Sequence, residues 1–91
     1  MHYTYVLLCQ DNKRSRVKLY IGSTSDLKNR VVKHQAGDVK TTKSFDNIKL
    51  VYYEVCISKT DAIKRELQLK TGFGRGYLKK RLASDPDIIK L

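Results

Sequence analysis

Apolar positions along the chain recur in two patterns: runs of strand character and stretches with a helical repeat. Residues 3–9, YTYVLLC, are aromatic and β-branched in character and read as a first strand. QDNKRSR at 10–16 is a polar turn. VKLYIG at 17–22 alternates apolar with polar as far as Tyr20 and reads as the return strand of a hairpin. Ser23 and Asp26 stand at capping-box spacing, and the pattern behind them predicts a helix from Ser25 to Ala36, stopped by Gly37. GDVKTTKSFDN at 37–47 is a polar, basic loop, and KLVYYEVCI at 49–57 is the strongest strand. A second capping box, Ser58 with Asp61, opens a helix that runs to Gly72. A last helix over 75–83 sets Tyr77, Leu78 and Leu82 against Arg75, Lys79, Lys80 and Arg81. The order ββαβαα predicts an α/β fold of the α+β kind, a small, mainly antiparallel sheet covered by helices.

The 91 residues suffice for a single domain, 1–91, with one core. Hydrophobic content of 41% with one proline excludes a disordered chain. No apolar run approaches the ~20 residues of a bilayer span, and TYVLLC is too short and lacks the charged start of a leader. Cys9 and Cys56 read as reduced core residues of a cytoplasmic protein, and with His2 and His34 they are too few and too scattered for zinc. Charge changes the picture most. Nineteen Lys and Arg against nine Asp and Glu leave a net +10, which attracts polyanions and makes nucleic acid the leading partner. Charge alone leaves a merely solvated basic surface open. No segment joins a basic face to a broad apolar one, so membrane binding is not expected.

Placed on a helical wheel, Ala62, Ile63, Leu67 and Leu69 define an apolar arc with Glu66 in its middle. A carboxylate there is costly unless it is paired or binds a metal. The plain alternative is a helical salt bridge to Lys70. In the first helix Leu27 and Val31 face the core, and Arg30 and His34 lie together on one edge of that stripe. They read either as a snorkelling arginine and a satisfied rim histidine or as a phosphate site with Arg30 as the fork-shaped clamp. Tyr3, Tyr5 and Tyr20, from the hairpin, converge toward the start of that helix and favour the phosphate site.

Tyr3-Thr4-Tyr5 followed by Tyr20-Ile21-Gly22 resembles the paired signature of the GIY-YIG nuclease superfamily, with Thr4 in the usual place of isoleucine. Asp26 to Arg30, then Ala62, Glu66 and Lys70, then Gly72-Phe73-Gly74-Arg75 continue the likeness over residues 3–82. The chain looks most similar to small stand-alone members related to the N-terminal nuclease domain found in excinuclease ABC. The resemblance implies a three-stranded antiparallel sheet flanked by three helices. It implies catalytic roles for Tyr5, Tyr20, Arg30, His34 and Glu66, the last as the sole metal ligand, for Mg2+ or another divalent cation such as Mn2+. Ser23 replaces a frequent lysine, and Leu78 stands near the place of a frequent asparagine. The implied activity is metal-dependent hydrolysis of DNA phosphodiesters, in repair, recombination or defence; the alternative is a nucleic-acid-binding module that has lost catalysis. A tyrosine phenolate would take the proton from water. An ordinary tyrosine pKa of about 10 must then fall, and whether Tyr5 or Tyr20 is that base stays open. Lys40, Lys43, Arg75, Lys79, Lys80 and Arg81 are expected to meet backbone phosphates, with a protein partner supplying targeting.

Overall fold

The long apolar run near the N-terminus is the middle of the sheet. In this computed structural model, which describes residues 1–89, β1 (His2–Asp11) pairs antiparallel with β2 (Arg16–Thr24) on one side and β3 (Asn47–Cys56) on the other. Tyr5 through Cys9 are entirely buried, because both faces of the central strand are covered. That is why the run does not alternate. The register sets Tyr5 opposite Gly22 and Leu7 opposite Tyr20. On the other side Val6 faces Tyr52 but Leu7 faces Leu50, so Val51 is the extra residue of a bulge.

One face of the sheet carries Tyr5, Leu7, Cys9 and Ile48, with Tyr20 and Leu50 beside them. It is covered by Leu27 and Val31 of α1 (Leu27–Gln35) and by Phe45 of the loop that follows. The opposite face carries Val6 and Ile21 under Leu69 of α2 (Lys59–Leu69) and Leu78 of α3 (Gly72–Arg81). The order ββαβαα and the three-stranded antiparallel sheet are as the pattern predicts. A short α4 (Pro86–Ile89), absent from the expectation, follows, with Ile88 fully buried.

Helix ends differ in detail. Asp26, not Ser23, caps α1, its carboxylate accepting from the Asn29 amide at 3.1 Å, while Ser23 remains in β2. Ser58 caps α2 as expected. The second helix closes at Leu69 rather than Gly72, and α3 opens at Gly72 rather than Arg75. The Thr71 hydroxyl caps α3 by accepting from the Gly74 amide. A Cβ at Gly74 would strike the Leu69 backbone, so glycine lets the two helices meet this closely. Gly37, at φ +80°, ends α1 as foreseen.

The arc expected on α2 is rotated. Ala62 and Leu69 are buried, but Ile63 and Leu67 are 39% and 60% exposed. The inward row is Ala62, Arg65, Glu66 and Leu69. Arg65 on that row donates to the Glu54 carboxylate of β3 at 2.9 and 3.0 Å and lies over the Tyr77 ring, joining both helices to the sheet. Both cysteines are free, and burial pushes the Cys9 thiol up to about 11. Among the described residues no helix is long and apolar enough to cross a membrane.

Candidate active site

The site starts from the hairpin register. Because Tyr5 pairs with Gly22, its ring lies over the glycine, and a Cβ there would sit 2.6 Å from the Tyr5 hydroxyl. Gly22 makes room for the tyrosine. The buried hydroxyl reaches α1, where Arg30 Nε donates to it at 3.2 Å and His34 Nε2 lies 2.9 Å away. His34 Nδ1 in turn lies 2.8 Å from the Thr42 hydroxyl, in the loop after α1. A neutral imidazole with its proton on Nδ1 satisfies the whole chain: Tyr5 donates to Nε2 and Nδ1 donates to Thr42. His34 is therefore a core residue and not the rim residue that the wheel suggested, since its exposure is 0%.

Tyr20 projects from the same face, two residues before Gly22. Its ring centroid is 4.8 Å from His34 and 6.2 Å from Tyr5, and it is half-buried where Tyr5 is sealed. Charge states follow from these neighbours. Burial raises the Tyr5 pKa, and the nearby Tyr20 and Glu66 add to it against the opposing Arg30 hydrogen bond. Burial and the charge of Arg30 lower that of His34. The Tyr5 hydrogen bond raises that of Arg30. At neutral pH the cluster is a phenol, a neutral imidazole and a guanidinium. The downward shift expected for a catalytic tyrosine runs the other way at Tyr5.

Half-buried Arg30 opens into a cleft of about 310 Å3 lined by His2, Ser23, Thr24, Ser25, Lys59 and Ala62. Lys59, Ala62 and Glu66 follow one another along one side of α2. The Thr4 hydroxyl, from β1, donates to the Ala62 carbonyl at 2.8 Å and holds that side of α2 against the sheet beside Tyr5. Thr4 thus has a bond to make where the usual isoleucine has none. Glu66 accepts from Lys70 Nζ through Oε2 at 2.7 Å, so the plain helical pairing is present. Yet its side chain is only 19% exposed and its charge reaches Tyr5. Among the described residues no group of three or more His, Cys, Asp or Glu converges. A lone carboxylate with a free Oε1 suits a hard cation that keeps most of its own waters, and suits zinc poorly.

Tyr5, Tyr20, Arg30 and His34 therefore come together, with Glu66 beside them. The remaining basic residues divide. Lys40 and Lys43 are exposed on the loop of the α1 face; Arg75, Lys79, Lys80 and Arg81 are exposed on α3, across the sheet. Both groups nevertheless adjoin the edge strand β2. Arg16 of β2 donates to Ser44 and stacks on Phe45 in that loop, and α3 borders β2 along a groove. Nothing in the apolar pattern singles out Thr42 or Lys59. Each joins the site only through a partner distant in sequence.

A sheet of this topology with a Tyr-Arg-His cluster on one hairpin and helix, and a single carboxylate alongside, defines a GIY-YIG-type nuclease domain. The chain belongs to the GIY-YIG family, whose model, described as the GIY-YIG catalytic domain, matches residues 1–81. It is 39% identical over 71 residues to the UPF0213 protein of Staphylococcus haemolyticus, covering 77% of this chain and 80% of the relative. The UPF0213 proteins of Staphylococcus saprophyticus and Staphylococcus epidermidis are each 38% identical over the same shares. Those names state no activity. No solved structure matches the chain significantly. Family membership makes it a nuclease-type domain, with DNA as the substrate class.

Proposed function

We propose that this single domain is a metal-dependent DNA endonuclease that cleaves phosphodiester bonds at the Arg30 cleft, in repair, recombination or defence within the cytoplasm. The observation that carries the reading is the Tyr5 hydroxyl, which binds Arg30 and His34 at once and so aims the guanidinium from a fully buried base. A satisfied surface arginine has no need of such a mounting. Arg30 grips a non-bridging phosphate oxygen and stabilises the charge that builds there, with Lys59 as a second cation at the cleft. Tyr5 acts as a positioning residue, since its hydroxyl is fully engaged and its proton is held more tightly than usual. The accessible Tyr20 takes the proton from the attacking water. Glu66 would hold Mg2+ or Mn2+, and the cation, when bound, supplies Lewis-acid charge at the scissile phosphate. Exposed Lys40 and Lys43 on one flank of β2, and Arg75, Lys79, Lys80 and Arg81 on the other, meet the flanking backbone, with a protein partner directing the enzyme to its targets.

The Glu66–Lys70 pair favours a second reading, a binding module in which the carboxylate is merely a helical ion-pair partner. Glu66→Gln separates the two. Nicked, branched and plain duplex DNA are incubated with parent and variant, in Mg2+ and in chelator. The endonuclease reading expects cleavage by the parent, loss of cleavage in the variant, and DNA affinity equal or slightly tighter. A parent inert on every DNA form establishes the binding module, and an active Glu66→Gln removes the metal role of Glu66.

A further inference from the structure

Between β2 and the α2–α3 corner runs a groove of about 540 Å3 that the reaction centre does not use. Leu19 and Leu78 contribute to its apolar floor, and Lys18, Lys70, Arg75 and Lys79 line it. No lining residue is acidic. Apolar floor and cationic rim match the two surfaces of a polynucleotide strand, its sugars and bases on one side and its phosphates on the other. Lys70 belongs to this groove and also to the reaction centre, because its ammonium holds Glu66 Oε2 at 2.7 Å. One ammonium group serves two anions.

We propose that the groove is the track of the substrate strand leaving the cleft, and that Lys70 couples the strand's arrival to metal binding by exchanging the Glu66 carboxylate for a backbone phosphate. This rests on the reading of Glu66 as the metal ligand. In the free protein Lys70 competes with a cation for the carboxylate. A phosphate in the groove draws Lys70 away and leaves both carboxylate oxygens for the metal. By linkage, DNA then tightens metal binding and metal tightens DNA binding by the same factor.

Two measurements, neither of them cleavage, test this. The first is Mn2+ affinity, by electron paramagnetic resonance, of parent and Lys70→Met, free and saturated with DNA. Free Lys70→Met should bind Mn2+ about fivefold or more tighter than the free parent. The gain that DNA confers on Mn2+ affinity should shrink by the same factor. Equal Mn2+ affinity of the two free proteins, with matching thermal midpoints, overturns the coupling. Failure of the parent to bind Mn2+ with or without DNA overturns the coupling together with the metal reading of Glu66. The second is DNA affinity against salt, in chelator, for a Lys18→Gln, Arg75→Gln, Lys79→Gln combination. The logarithmic slope should flatten by about 0.7–0.9 for each phosphate that is no longer met. An unchanged slope overturns the track. A flattened slope in a protein that cuts nothing upholds the track while sinking the endonuclease reading, so the two failures are distinct.

Discussion

Tyr5 and His34 show how burial fixes the protonation of a cluster before any substrate arrives. Tyr5→Phe removes the hydroxyl shared by Arg30 and His34 and leaves the imidazole nitrogen unpartnered in the core. We expect a stability loss of about 1–3 kcal/mol in denaturant titration and a larger relative loss of cleavage than Tyr20→Phe would cause through misplacement alone. Recovery of full cleavage in Tyr5→Phe would show that Arg30 needs no mounting. His34 also makes stability depend on pH. Its folded pKa lies below the ordinary imidazole value of 6.5, so between those two values the unfolded chain binds the extra proton. Its contribution is intact above the ordinary value and is lost as pH falls through it toward the folded pKa. Thermal midpoints of the parent should therefore drop from neutral to mildly acidic pH more steeply than those of His34→Gln; parallel curves would contradict a buried neutral imidazole.

Elements meet here through small residues and single hydrogen bonds. Gly22→Ala places a methyl 2.6 Å from the Tyr5 hydroxyl, in a core with no room to yield. We expect a cost of about 1–3 kcal/mol in thermal unfolding. Gly76 on α3 is the control, because a Cβ there meets open space and alanine should be neutral or stabilise by up to about 1 kcal/mol. Thr4→Val keeps the shape of the strand residue but deletes the bond to the Ala62 carbonyl. A loss of about 1 kcal/mol, with weaker cleavage as the side of α2 bearing Glu66 loosens, is the expected outcome. Equal stability of Thr4→Val and parent would mean that the helix carbonyl needs no second partner.

The net charge of +10 is spread over both faces of the sheet, and β2 is the edge where its two concentrations come nearest. A strand crossing that edge meets the α1 loop on one flank and α3 on the other. Lys40→Gln with Lys43→Gln, and separately Lys80→Gln with Arg81→Gln, should each flatten the salt dependence of DNA affinity by about 0.7–0.9 per phosphate released. A change confined to one pair would place the substrate on a single face of the sheet.

The strands, the caps at Ser58 and Gly37, and the grouping of Tyr5, Tyr20, Arg30 and Glu66 into one chemistry were legible because each depends on residues near in sequence or on a spaced motif. Local pattern also exposed the oddity of Glu66. It did not reveal that Ile63 and Leu67 face outward, since the rotation of α2 is set by Thr4, Leu69 and the Arg65–Glu54 pair. The early start of α3 follows from its contact with Leu69, and the burial of Ile88 from packing that no local repeat announces. Thr42 and Lys59 enter the site through folding alone, from a loop and a helix start that look ordinary in isolation. The protonation of Tyr5 was likewise decided by the fold. A neighbouring cation lowers a phenol's pKa and desolvation raises it, and only the packed interior determines that desolvation wins.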